Sequence, residues 1–206
     1  MTTGDRRRQA ALAGHQGDEP AARAALADPD PAVRATALGA LERLGRLEAA
    51  DLETALVDGS TVVRRRACEA AAHRPGDGPP SLLGALADDD ATLVEVAAWA
   101  SGERQPPEPG VVPALVALSA DHHDALVREA AVAALGAIGD QAGLTAILAA
   151  LGDKATVRRR AVIALAPFEG DDVEAALARA REDRDWQVRQ AAEDLSDGTP
   201  ITDRSP

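Results

Sequence analysis

Apolar side chains recur along this chain at helical spacing, in short blocks that come in pairs. Between Asp121 and Asp153, the residues Val127, Ala131, Ala134, Leu135 and Ile138 fall on one helical face. Gly139 follows where a C-cap glycine would end that helix, and Asp140 can cap the next one. Leu144, Ile147, Leu148 and Leu151 then form a second stripe. The same helix–turn–helix reading holds six times. The first helices are predicted over residues 19–27, 48–57, 79–87, 109–119, 141–151 and 171–181, and the second helices over 31–44, 60–73, 91–101, 124–138, 155–166 and 185–195. Residues 5–14 read as a truncated second helix that caps the N-terminal end.

The second helices share a fixed register. A Val-Arg pair places its arginine position at Arg34, Arg64, Glu95, Arg128, Arg158 and Arg189, in steps of 30, 31, 33, 30 and 31 residues. Three residues later stands an alanine: Ala37, Ala67, Ala98, Ala131, Ala161 and Ala192. Aspartates lie in the turn before each pair. A period in this range marks a stacked repeat protein, in which each hairpin has two faces to bury and needs a neighbour on each side. The predicted repeats span residues 19–45, 48–73, 79–101, 109–139, 141–166 and 171–195 of one domain, 1–195. Two features break the rhythm. The segment Gly102–Gly110 holds three prolines and cannot be helix interior, and Glu95 stands where the other repeats have arginine. This reads either as a longer loop beside a degenerate repeat or as a bend. The polar residues 196–206 read as a flexible tail.

Composition agrees with an all-α chain. Of 206 residues, 46% are apolar, but Trp99, Trp186 and Phe168 are the only aromatics, so Ala, Leu and Val must build the core. A net charge of −12 disfavours duplex DNA and anionic membranes. The single cysteine, Cys68, excludes an intrachain disulfide and reads as a small buried hydrophobe. Met1–Arg8 lacks the apolar stretch of a signal peptide, and no segment is long and apolar enough to span a bilayer. A soluble, cytoplasmic monomer is the expectation.

The string Asp-x-x-x-x-Val-Arg-x-x-Ala-x-x-Ala-Leu-Gly resembles the HEAT repeats of the phycobilin-lyase type, with residues 121–140 the nearest match and most of 19–195 covered. The resemblance implies a right-handed α-solenoid of about six hairpins plus the N-terminal capping helix, with the second helices lining a concave face. It also implies a structural ladder. Arg34, Arg64, Arg128, Arg158 and Arg189 would pair with turn aspartates of their own or the adjacent repeat, drawn from Asp28, Asp58, Asp88, Asp121, Asp153 and Asp183. Arginine suits this role, because its rigid fork matches both carboxylates and free helix-end carbonyls.

Ligand-facing positions, by the same resemblance, flank the Val-Arg pair. They are Ala35 and Thr36 in the first repeat, Arg65, Arg66 and Glu69 in the second, and Val96, Ala97 and Ala100 in the third. Glu129 follows, then Arg159, Arg160 and Ile163. Trp186, Gln187, Gln190 and Asp194 end the row. Arg65-Arg66 and Arg159-Arg160 lie inside Arg-Arg-Arg runs, and clustered arginine grips carboxylates or phosphates. Trp99 and Trp186 read either as core or as ligand-facing. His122-His123-Asp124 reads as a solvated turn, since zinc would want ligands converging from spaced positions. No catalytic residue, metal or cofactor is predicted. The expected function is a non-catalytic scaffold or adaptor that binds a protein or peptide, such as an acidic segment, on its concave face. The alternative that the family offers is a HEAT-like DNA glycosylase or a tetrapyrrole lyase.

Overall fold

The computed structural model describes residues 1–196, so the tail at 197–206 lies outside the described residues. These residues form thirteen α-helices, one 3-10 turn and no strand. The capping helix α1 is Thr3–Gln16. The first helices of the hairpins are α2 (Glu19–Ala25), α4 (Ala49–Leu56), α6 (Leu83–Leu86), α8 (Val111–Asp121), α10 (Leu144–Ala150) and α12 (Asp171–Ala180). The second helices are α3 (Pro31–Arg43), α5 (Thr61–Ala71), α7 (Ala91–Glu103), α9 (Ala125–Ile138), α11 (Ala155–Ala164) and α13 (Trp186–Ser196). The predicted helix over 79–87 shrinks to the four residues of α6.

The chain falls into two compact units: residues 1–100 with 104–108, and residues 101–103 with those from 109 onward. The division comes in the proline-rich segment where the repeat rhythm breaks. In the first unit α1 packs on α3, α3 on α5, and α2 and α4 lean on their own second helices. In the second, α9 packs on α11 and α11 on α13, with α8, α10 and α12 beside them. Each unit is therefore a stack of helical hairpins, the α-solenoid pattern.

The repeat columns make the cores. Val33, Val63, Val94, Val127, Val157 and Val188 are buried, and so is each alanine of the Ala37–Ala192 column. Small residues let adjacent second helices approach closely. A Cβ added at Gly14 would stand 2.8 Å from the Cα of Ala40, and one at Gly136 would stand 2.6 Å from the Cα of Ala164. No described helix is long and apolar enough to cross a membrane.

Candidate binding face and the arginine ladder

Each turn before a second helix uses two positions with separate roles. The residue four before the arginine is the N-cap: Asp30 accepts from the Ala32 N–H, Asp124 from Leu126 and Asp185 from Gln187, all at 2.9 Å. A second residue, six before the arginine at Asp28, Asp58 and Asp183 and five before it at Asp153, closes the turn and receives the preceding rung of the ladder. Arg34 donates to both carboxylate oxygens of Asp58, at 2.8 and 2.7 Å, and to the carbonyl of Asp28 at 2.9 Å. Arg158 does the same with Asp183 at 2.8 and 2.7 Å and with the Asp153 carbonyl at 2.8 Å. Arg128 pairs with Asp153 at 2.6 and 2.8 Å. Each guanidinium thus ties the carbonyl of its own turn to the carboxylate of the next hairpin. The hydrogen bonds from arginine hold Asp58, Asp153 and Asp183 below the usual carboxylate range.

The ladder differs from expectation in three places. Arg6 of α1 begins it, donating to Asp28 at 2.8 and 3.2 Å, so the capping helix carries a rung that the Val-Arg motif does not mark. Asp121 takes no part, a correction to the sequence reading. It lies at the exposed end of α8, seven residues before Arg128, and His122 holds the turn position instead. The His122 carbonyl accepts from Arg128 at 2.7 Å, and its Nδ1 accepts from the Asp124 N–H at 3.1 Å. Finally, Arg64 reaches Asp88 only at 3.2–3.3 Å, and its buried Nε finds no partner among the described residues. Arg189 donates to the Asp183 carbonyl at 2.7 Å.

Beside the ladder, most of the predicted ligand-facing residues are accessible. Arg65, Trp186, Gln187 and Gln190 are exposed. Glu69, Val96, Glu129, Arg159, Arg160, Ile163 and Asp194 are half-buried. Ala97 and Ala100 are corrections: both are 0% exposed and belong to the core, where α7 buries them with Ala98. Within each Arg-Arg-Arg run the three side chains part company. Arg64 and Arg158 serve the ladder. Arg66 is held by Glu42 and, at 3.0 Å, by Glu69, and Arg160 faces Glu129 at 3.4 Å. Arg65 and Arg159 carry no ion pair among the described residues. Trp99 is 43% exposed and Trp186 is 65% exposed, so neither is a buried core residue.

A groove of about 740 Å³ runs over the second-helix face of the first unit. Ala11, Ala32, Ala35, Thr36 and Gly39 give it a floor of small residues, and Arg7, His15, Arg43, Arg66, Glu42 and Val62 line its sides. Gly39 lets the Arg66 guanidinium lie flat on α3, since an added Cβ would meet Nη2 at 3.3 Å and Nε at 3.4 Å. Arg7 and Arg43 lie outside the Val-Arg register, and only the stacking of α1 on α3 reveals them as neighbours. Cys68 is fully buried, and burial pushes its thiol up to about 12, which leaves no thiolate at neutral pH. No group of His, Cys, Asp or Glu side chains among the described residues could hold a metal ion.

Comparison with known proteins agrees with this architecture. The HEAT-repeat family matches residues 49–136 and 79–166, together more than half of the chain, and the chain belongs to that family. No curated protein matches it in sequence. Among solved structures, YibA of E. coli is similar at 18% identity and a TM-score of 0.64, over 88% of this chain and 71% of that one. A designed armadillo repeat protein in complex with the peptide (KR)4 is similar at 18% identity and a TM-score of 0.56, over 94% and 97%. Human deoxyhypusine hydroxylase shares 22% identity at a TM-score of 0.48, over 93% and 78%. HEAT and armadillo stacks of this kind are often protein-binding scaffolds.

Proposed function

We propose that the protein is a non-catalytic scaffold that binds a protein or peptide segment on the exposed faces of its second helices, and that the preferred segment is acidic. The observation that supports this most is the division of labour inside the two arginine runs. Arg64 and Arg158 are tied to the turns, whereas exposed Arg65 and half-buried Arg159 have no carboxylate on them. Unpaired arginines on an accessible helix face are fork donors ready for an incoming carboxylate. A designed armadillo repeat protein of similar fold is itself in complex with a peptide, which supports the mode of binding though not its charge.

Selection of a displayed random-peptide library on the immobilised full chain tests this. Enrichment of sequences rich in Asp and Glu is expected, with weaker retention by the Arg65→Glu/Arg159→Glu variant at an unchanged melting temperature. A selection that enriches nothing would remove the scaffold reading. Enrichment of basic sequences would keep the scaffold and reverse the partner's charge.

A further inference from the structure

Resting on that reading, we propose that the groove over α1, α3 and α5 is the docking site for an extended acidic segment of a partner protein, with α1 forming one wall of the site as well as capping the stack. The chain as a whole carries 34 acidic and 22 basic residues, yet this groove inverts the balance. Arg7, Arg43 and Arg66 line it, and its one carboxylate, Glu42, is already engaged by Arg66. Arg7 and Arg43 are exposed and carry no ion pair among the described residues. Charge complementarity therefore selects an anionic occupant.

The floor selects its shape. Side chains no larger than threonine let an extended backbone lie close to the helices, and a volume of about 740 Å³ is within the range of roughly 300–1,000 Å³ that ligand sites occupy. The Thr36 hydroxyl already donates to the Ala32 carbonyl at 2.7 Å, so the floor offers packing surface, with the specific polar contacts left to the arginines. Arg66 is already engaged by Glu42 and Glu69 and lies over the bare backbone of Gly39, so the charge left for an incoming carboxylate is that of Arg7 and Arg43. Exposed Val62 gives an aliphatic contact at the groove's far side. No Trp, Tyr or Phe lines the groove, so it lacks the stacking platforms by which single-stranded nucleic acid is bound.

The test is fluorescence anisotropy of the labelled peptide (Glu-Ala)4 titrated with the full chain. (Lys-Arg)4 and an oligothymidylate serve as the other probes. The acidic peptide is expected to bind, with an affinity that falls as salt rises. Arg7→Glu/Arg43→Glu should weaken it about tenfold or more, whereas Arg181→Glu/Arg184→Glu, the same charge change at exposed positions away from the groove, should change it less. Circular dichroism and melting temperature establish that both variants fold. If Arg7→Glu/Arg43→Glu binds the acidic peptide like the parent, the groove is the wrong site while the scaffold reading survives. If the oligothymidylate or the basic peptide binds and the groove variant abolishes that binding, the partner class is wrong. If the acidic peptide does not bind at all, this proposal falls, and the peptide-display selection decides whether the scaffold reading falls with it.

Discussion

The connection from α5 to α6 and the connection from α9 to α10 join equivalent helices, one in each unit, by opposite chemistry. In the second unit the link is short. Gly139 turns left-handed at φ 68°, its N–H bonds the Leu135 carbonyl at 3.0 Å, and Asp140 caps the next turn. In the first unit the link runs from Ala72 to Leu82, and its carbonyls turn inward. They are collected by one side chain. Arg104, 0% exposed at its side chain, donates to the carbonyls of Arg74, Pro75, Gly78 and Pro80 at 2.7–3.2 Å and faces Glu108 at 3.4 Å. Glu108 in turn accepts from the Leu82 N–H at 2.8 Å. The contrast shows how a long connection can be buried at all. Inward carbonyls need donors, and a single guanidinium brings five. Burial pulls that guanidinium below the ordinary arginine value, with Glu108 and Asp77 opposing the shift.

The largest expected effect tests this contrast directly. Arg104→Ala should cost about 3–5 kcal/mol in urea unfolding, because several buried acceptors lose their donor at once. Gly139→Ala should cost only about 1–2 kcal/mol, the strain of a left-handed alanine. Equal losses would mean that Arg104 merely fills space.

The next effect compares rungs. Arg158→Ala should lose about 2–3 kcal/mol, because it removes a bidentate pair and a carbonyl bond at a nearly buried site. Arg64→Ala should lose less, since its rung is already long. Arg65→Ala should stay within about 0.5 kcal/mol. A strict inverse ranking would show that the loose rung is the stronger one.

Acid titration sharpens the same point. Asp58, Asp153 and Asp183 have folded values below the ordinary 3.8, so their contribution is complete above that value. It is lost as pH falls below 3.8 and through the depressed folded values. Asp183→Asn should therefore lower stability at neutral pH and flatten the acid limb of the stability profile. An unchanged acid limb would show that the rung contributes nothing to acid unfolding.

Two helical glycines should respond with opposite signs. Gly136→Ala pushes a methyl group into the α11 backbone at Ala164 and should cost about 1–3 kcal/mol. Gly84→Ala, in open space on α6, should instead stabilise by roughly 0.8 kcal/mol through helix propensity. Thermal melts of the two variants check both.

The repeat was legible because its signals are local. Helical spacing, the buried Val and Ala columns and the Val-Arg register all lie within one hairpin, and Val33, Val63, Val127, Val157 and Val188 are buried where the periodicity puts them, whereas in the third repeat Leu93 takes that column. Asp121 misled for the same reason. Counting turn aspartates cannot distinguish a residue seven before the arginine from one six before it, and a histidine can close the turn as well as an aspartate. Ala100 misled because the register of the third repeat is one residue off: the Val94 N–H bonds the carbonyl of the N-cap Asp90 as the Arg64 N–H bonds that of Ser60, so Val94 rather than Glu95 takes the arginine position and Ala100 falls in the buried column of Ala40, Ala70, Ala134 and Ala164.

From its own order of residues the chain determined the helical hairpins, their number and the arginine column, since a 3.6-residue period needs no knowledge of distant parts. Stacking alone decided which carboxylate each arginine takes, that Arg6 joins the ladder, that Arg104 is a buried donor hub, and that Arg7 and Arg43 share a groove. Those outcomes depend on distances between groups more than 20 residues apart, which are set only when one hairpin settles on the next.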